Sequence, residues 1–238
     1  MKNFQKIAIF LAARSSSKRL SNKHFLKVNK NLRVIDLCIL RLKKVKLVKK
    51  IFLCTTRNKE DDKFQKVCKK HDINLFRGSA NNVLRRFIDC ARKNSIRTIV
   101  RITADCPLIE PKLIDRCIKL HFKRNSDYTS NILKLSYPDG LDVETVNLSA
   151  LIKSQNISKS LLNKEHVTYF IRSSKIFKKN NFKNSKDYSN RRWTLDLKKD
   201  YLFLKKVIRF FSPNINFSWH DILLAEKNNK FLINKKYR

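Results

Sequence analysis

The chain has 238 residues, 42% of them hydrophobic, with two glycines and four prolines; this is enough for one domain with its own core and excludes a disordered, low-complexity or collagen-like chain. Its 55 Lys+Arg against 19 Asp+Glu give a formal charge of +36, a field that attracts polyanions in low salt. The cations are spread along the whole length, however, not gathered into the footprint of a dedicated nucleic-acid reader.

The first element is the apolar run KIAIFLAA. A basic start before a short apolar core imitates a secretory signal. The core is at the short limit, the next residues are basic and Ala12-Ala13-Arg14 is a poor cleavage site, so a buried first strand is expected. Strand-length runs recur as KKIFLCTT, INLFRG, TIVRITAD and DYTSNI. Between them Val34, Leu37, Leu40 and Leu42, and later Val83, Leu84, Phe87, Ile88 and Ala91, fall at helical spacing. Buried strands alternating with amphipathic helices predict right-handed βαβ units in a three-layer αβα, Rossmann-like α/β fold with a mainly parallel sheet.

After Asn131 the rhythm changes. LKLSYPDGLDVETVN holds a Pro138-Asp139-Gly140 turn between strand-like pieces, and LSALIKSQN and EHVTYFIRSS have helical spacing. A polar, basic loop is expected from Lys178 to Asn190, and RWTLDL has strand character. KKDYLFLKKVIRFF and SWHDILLAEK close as helices, and Lys230 to Arg238 reads as a solvated tail. No repeat or linker divides the chain, so one domain over 1–238 is expected, with a hairpin and helical excursion over 133–190. The six cysteines have neither CxxC spacing nor zinc-type histidine partners, which fits a reducing cytosol and not a disulfide framework. No apolar run approaches the length of a membrane span. Trp193 and Trp219 are expected in packing roles.

Ligands of an open parallel sheet sit beyond the carboxyl ends of its strands. The first strand is followed by Arg14, Ser15, Ser16, Ser17, Lys18, Arg19 and Lys23. Loop amides and cations in that place suit a triphosphate, without the glycines of a Walker loop. The third strand leads to Arg77-Gly78-Ser79 and a helix carrying Arg85 and Arg86; the fourth leads to Asp105, and RWTL to Asp196. Two carboxylates beside a basic cradle suit Mg²⁺, a hard cation held by one or two carboxylates, phosphate oxygens and water. Asp105 alone reads as readily as a helix cap before PKLIDRC, or a turn residue, as it does as a metal ligand.

Taken in order, AARSSSKRLSNK, FRGSANNVLRRF, VRITADCPLIEP, YPDGLDVE, EHVTYF and RWTLDLKKD resemble the cytidylyltransferase family. That family includes the acylneuraminate and 3-deoxy-manno-octulosonate cytidylyltransferases, and the pattern is most similar to its spore-coat-polysaccharide branch. The resemblance runs from about Ile7 to Phe210 and implies a nucleotidyltransferase fold. It implies that Ala12, Ala13, Arg14, Ser17, Arg19 and Lys23 bind the CTP base edge and triphosphate. Arg77, Gly78 and Ser79 match the nucleoside-contacting turn, Arg86 the arginine of the following helix, and Asp105 and Asp196 the Mg²⁺ ligands. Arg14, Lys23 and Asp105 would carry catalysis.

The implied reaction transfers CMP from CTP to a sugar or sugar acid and releases pyrophosphate, making an activated sugar for surface polysaccharide. The implied protein is a cytoplasmic homodimer joined through 133–190, with no specific nucleic acid and no membrane insertion. Asp142, Glu144, Glu165 and His166 fall in motifs near the acceptor or the subunit contact, with turn stabilisation and helix capping as open alternatives. Departures from the pattern are Ala12 for Gln, Ser16 and Ala104 for Gly, and Ser21-Asn22 for Pro-Gly; Asn22 still tolerates the left-handed conformation. A basic nucleic-acid-binding α/β protein and a catalytically weak nucleotide-binding homologue are the competing readings.

Overall fold

The computed structural model describes residues 6–17 and 19–236, the side chain of Phe231 excepted; Lys18 of the basic loop lies outside the described residues. In chain order the strands are β1 (Ile7–Ala12), β2 (Ile51–Thr56), β3 (Asn74–Gly78), β4 (Thr98–Thr103), β5 (Tyr128–Ser130), β6 (Glu144–Asn147) and β7 (Lys179–Asn181). The helices are α1 (Val34–Leu42), α2 (Lys63–His71), α3 (Val83–Lys93), α4 (Pro111–Lys123), α5 (Leu148–Ile157), α6 (Leu161–His166), α7 (Tyr169–Ser173), α8 (Lys198–Phe211) and α9 (Trp219–Asn228).

Alternation along β1 sets the layers. Ile7, Ile9 and Leu11 join one core with α1, α2, α4, α8 and α9, while Ala8 and Phe10 join the other with α3, α5 and α7. The first run therefore forms the expected buried strand: Ile7 to Leu11 are at most 3% exposed. The sheet has the order β3-β2-β1-β4-β6-β5-β7. Only β6 among the described strands runs against its neighbours, so the sheet is mainly parallel, with helices on both faces, as the sequence predicts. Ala12 is in register with both Cys54 and Thr103, and Ala104 N–H donates to the Ala12 carbonyl at 3.0 Å. The segments following β1 and β4 thus leave the sheet side by side, at its carboxyl edge.

The later half departs from the sequence expectations in four places. EHVTYFIRSS is not one helix: the chain breaks between α6 and α7 at Val167, with φ 59°. Burial of the Val167 side chain and a hydrogen bond from Thr168 Oγ1 to Glu144 hold this turn against helical continuity. The polar loop from Lys178 contributes β7, whose Lys179, Asn180 and Asn181 pair parallel with β5 at the sheet edge. RWTLDL forms no strand; it crosses the strand ends, with Trp193 N–H donating to the Asp139 carbonyl and Leu195 N–H to the Asp105 carbonyl at 2.8 Å. The expected solvated tail is docked as far as it is described: Leu232 is fully buried, and Asn234 Nδ2 donates to the Arg192 carbonyl at 2.8 Å; Tyr237 and Arg238 lie outside the described residues. The segment 133–190 supplies β6 and β7 to the main sheet along with α5, α6 and α7. Both tryptophans pack in the core, and the six cysteines are buried and free.

Gly140 fixes where RWTLDL crosses. Its φ is +108°, and a Cβ there would lie 2.6 Å from Thr194 N and from the Trp193 carbonyl carbon. Neither neighbour is a flexible side-chain tip. Gly140→Ala is therefore expected to destabilise the fold by about 3 kcal/mol through strain and overpacking. Thermal melting should show a fall of about 6–12 °C, and an unchanged melting temperature would contradict this account.

Candidate active site

The loop after β1 is pinned from below before its cations are placed. Ser15 N–H donates to Asp61 Oδ1 at 2.7 Å and Ser15 Oγ to the Glu60 carbonyl at 3.0 Å. Asp61 also accepts from Thr55 Oγ1 at 2.8 Å and from Thr56 N–H at 3.2 Å. Burial opposes its charge, yet the bonds from Thr56, Ser15 and Thr55 hold the Asp61 carboxyl below its ordinary range. Sequence reasoning missed this residue, although its place just after β2 is where a strand-end search looks.

Asn22, at φ 52° and ψ 27°, takes the left-handed turn that the family pattern assigns to glycine. The chain then enters a single 3₁₀ turn, Lys23–Phe25, in which Lys23 and His24 are buried. Lys23 Nζ lies 3.0 Å from Asp105 Oδ2 and 2.8 Å from Asp196 Oδ1. Asp105 follows β4, and Asp196 is brought over the strand ends by the crossing segment. Its backbone N–H and that of Leu197 donate to Asp200 Oδ2 at 3.0 and 2.9 Å, fixing it at the start of α8. Arg19 and Arg192 approach Asp196 Oδ2 at 3.1 and 3.3 Å.

Electrostatics follow this convergence. Burial works against the Lys23 ammonium, but Asp105 and Asp196 outweigh it and raise its pKa. Burial likewise works against the Asp105 carboxylate, and Lys23 outweighs it and holds its pKa low. Burial drives His24 down to about 4, so its imidazole is neutral beside Lys23 at pH 7.

A cleft of about 640 Å³ opens over these groups. Of the residues expected to bind nucleotide, it is lined by Ala12, Ala13, Arg14, Ser17, Arg19, Lys23 and Arg86, together with Asp105 and Asp196. The turn after β3 contributes differently. Arg86 donates from Nε and Nη2 to the Ser79 carbonyl at 2.9 and 2.6 Å, and a Cβ on Gly78 would stand 2.8 Å from Arg86 Cγ. Gly78 and Ser79 thus shape the cleft by seating Arg86. Arg77 points elsewhere: it donates to the Thr56 and Asn58 carbonyls at 3.0 Å, pairs with Asp62 at 2.6 Å and lines a separate hollow with Arg57 and Arg85.

A second pocket of about 240 Å³ adjoins the cleft, sharing Arg101, Thr103, Asp105 and His166 with it. Asp139, Asp142, Glu144, Arg172 and Thr194 complete most of its wall. Glu144 is fully engaged there, paired with Arg101 and accepting from Tyr128 Oη at 2.6 Å and from Thr168 Oγ1. Glu165 meets Arg14 at 3.9 Å, with both side chains more than half exposed, a contact worth little in water.

A basic loop, a buried lysine between two carboxylates and a second pocket thus meet at the carboxyl edge of a mainly parallel sheet. The family model described as Cytidylyltransferase matches residues 8–236. The chain belongs to the cytidylyltransferase family. Among curated relatives, the spore coat polysaccharide biosynthesis protein SpsF of Bacillus subtilis is 31% identical over 208 residues, covering 84% of this chain and 85% of SpsF. An uncharacterized protein of Methanocaldococcus jannaschii is 36% identical over 217 residues, covering 89% and 87% of the two chains. A cytidylyltransferase structure from Leptospira borgpetersenii serovar Hardjo-bovis superposes with a TM-score of 0.92 at 31% identity and covers 98% of each chain. CMP:2-keto-3-deoxy-manno-octonic acid synthetase complexed with CTP shares the fold, with a TM-score of 0.64 at 12% identity over 87% of this chain and 99% of its own. As a cytidylyltransferase, the protein is a nucleotidyltransferase; among the described residues no helix is long and apolar enough to cross a membrane.

Proposed function

We propose that this cytidylyltransferase transfers CMP from CTP to a sugar or sugar acid, releasing pyrophosphate and supplying an activated sugar for surface polysaccharide. The observation that carries the reading is the meeting of Lys23, Asp105 and Asp196 at the junction of the large cleft and the smaller pocket. The likeness to SpsF, named for spore coat polysaccharide biosynthesis, supports the polysaccharide role.

Asp105 and Asp196 suit Mg²⁺ by donor chemistry. The two carboxylates already share one cation, the Lys23 ammonium, and no third His, Cys, Asp or Glu joins them in a metal-sized cluster among the described residues. That leaves coordination positions for phosphate oxygens and water, the pattern a hard cation prefers. Bound there, Mg²⁺ would supply charge neutralisation at the α-phosphate.

The protein's own groups do the rest. Arg14, Arg19 and Lys23 hold the β- and γ-phosphates, and the loop amides, steadied by Asp61, face the triphosphate. The acceptor lies in the 240 Å³ pocket, a size that suits one monosaccharide. Its hydroxyl attacks the α-phosphorus in line with the departing pyrophosphate, so positioning and electrostatics carry the rate without a covalent intermediate. The homodimer belongs to the same proposal. Six of the ten exposed large hydrophobic residues among the described ones, Leu135, Ile157, Leu161, Leu162, Tyr169 and Ile176, fall within 133–190, which favours that segment as the subunit contact.

Thermal melting with each of the four nucleoside triphosphates and Mg²⁺ tests the reading. CTP at about a hundred times its Kd contributes about 2.7 kcal/mol, a rise of about 5–10 °C, with the other three giving less. Equal shifts for all four, or none for CTP, would overturn it. Pyrophosphate release with a sugar panel then separates an active enzyme from a nucleotide-binding homologue without turnover.

A further inference from the structure

The two aspartates that suit a divalent cation already meet cations of the chain itself. Asp105 Oδ2 and Asp196 Oδ1 both face Lys23 Nζ, at 3.0 and 2.8 Å. The other Asp196 oxygen, Oδ2, faces Arg19 at 3.1 Å and Arg192 at 3.3 Å. Asp105 and Asp196 can take a divalent cation between them only if a positive charge moves away, because like charges a few ångströms apart repel strongly where water is scarce. The three cations are not equally placed to move. Arg192 is also tied to Asp200 at 3.1 Å and to Asp139 at 3.5 Å. Arg19 has a side chain 66% exposed, so water already screens its charge. Lys23 stands between both carboxylates with its side chain 10% exposed, and Nζ has no other partner among the described residues. Its backbone is held, since Phe25 N–H donates to the Asn22 carbonyl at 2.8 Å and the Phe25 ring packs 5.0 Å from that of Phe64. Only the side chain can swing, and a buried ammonium that leaves two carboxylates needs another anion. Lys23 also lines the large cleft, where a triphosphate would offer one.

We propose that Lys23 is an internal competitor of the divalent cation, so that Asp105 and Asp196 take the metal only when a triphosphate draws the ammonium away. The inference rests on the transfer reading above and deepens it. Lys23 then has two tasks at one position: it grips the phosphates, and it withholds the carboxylates until the phosphates arrive. Metal and nucleotide raise each other's affinity by the same factor, as linkage between two sites requires. With Lys23 between them, the two aspartates bind a metal poorly in the absence of nucleotide.

The test follows Mn²⁺ binding to wild type, Lys23→Met and Lys23→Gln by the paramagnetic resonance of the free ion, with neither nucleotide nor acceptor present. Lys23→Met should bind Mn²⁺ about 5- to 150-fold more tightly than wild type, the range typical of coupling between two ligands. Lys23→Gln keeps hydrogen-bond donors for the carboxylates without the charge and should tighten binding by less. Adding Asp105→Asn to Lys23→Met should abolish the gain, and a gain that survives it belongs elsewhere on the surface and overturns the proposal. Thermal melting is the second readout. Both Lys23 variants should melt below wild type without metal, and Mn²⁺ should raise their melting temperatures while leaving wild type nearly unmoved. Where Lys23→Met does not fold without metal, Lys23→Gln carries the binding measurement. An affinity equal to or below that of wild type overturns the proposal. Variants that fold poorly and are not rescued by Mn²⁺ overturn it as well, because the ammonium is then a structural counter-charge that no metal replaces. Loss of the transfer reading would appear separately, as the absence of CTP-selective stabilisation in wild type.

Discussion

Asp105→Asn should lower pyrophosphate release about 100- to 1000-fold while the protein still folds and melts within a few degrees of wild type. The size of the loss is that of removing one preorganised electrostatic group from a developing charge. The amide keeps the shape of the side chain, and the structural work of residue 105 is done by its backbone. Its carbonyl accepts from Leu195 N–H at 2.8 Å and from Thr194 Oγ1 at 3.3 Å, so the crossing segment stays in place. Lys23 retains Asp196 at 2.8 Å, which avoids the cost of stranding a buried charge. What disappears is half of the carboxylate pair that the substrate phosphates and their cation would meet. The variant carrying both Asp105→Asn and Asp196→Asn would strand the buried Lys23 ammonium, so it should also melt well below wild type. Steady-state pyrophosphate release, with melting as the control for folding, measures both. Near-normal turnover by a folded Asp105→Asn protein would remove Asp105 from the site.

How much of this was legible in the sequence depends on how local the physics is. β1 could be read because its apolar residues feed both cores in strict alternation. The three-way meeting of Lys23, Asp105 and Asp196 could be anticipated because each stands just beyond an apolar run or closes a motif in the family's order. Asn22 could be read because few residues accept a left-handed turn. The hidden features depend on partners distant in sequence. β7 is Lys-Asn-Asn, a polar edge with no hydrophobic alternation to announce it. The break at Val167 is set by a hydrogen bond between Thr168 and Glu144, 24 positions apart, which no helical periodicity records. The terminal segment docks through one buried leucine and a few backbone contacts. Arg77 sits in a motif with cleft residues, yet Asp62 and two carbonyls draw its side chain away. Asp142 and Glu144 stand two residues apart, and nothing local in the sequence shows that Glu144 meets Arg101, Tyr128 and Thr168.

Glu144→Ala should produce the largest loss of stability, about 3–5 kcal/mol, because it leaves Arg101 without its buried counter-charge. The Glu144 side chain is 1% exposed and that of Arg101 17%, so water cannot replace the carboxylate in full. Tyr128 Oη and Thr168 Oγ1 lose their acceptor as well, and with Thr168 goes the bond that holds the α6–α7 break beside His166. The effect has a definite pH dependence. Burial alone would raise the Glu144 pKa, but Arg101, Thr168 and Tyr128 reverse this and lower it from the ordinary 4.5. A carboxyl whose folded value is depressed contributes stability that is fully present above its unfolded value and is lost as pH falls through the folded one. The gap between wild type and Glu144→Ala should therefore be on the order of 10 °C at pH 7 and shrink as the pH is taken well below 4. Arg101→Met combined with Glu144→Leu should recover much of the loss, since removing both charges strands neither. Melting curves of the four proteins across pH decide it: a gap under about 2 °C at neutral pH, or one that widens in acid, would show that this pair does not brace the pocket wall.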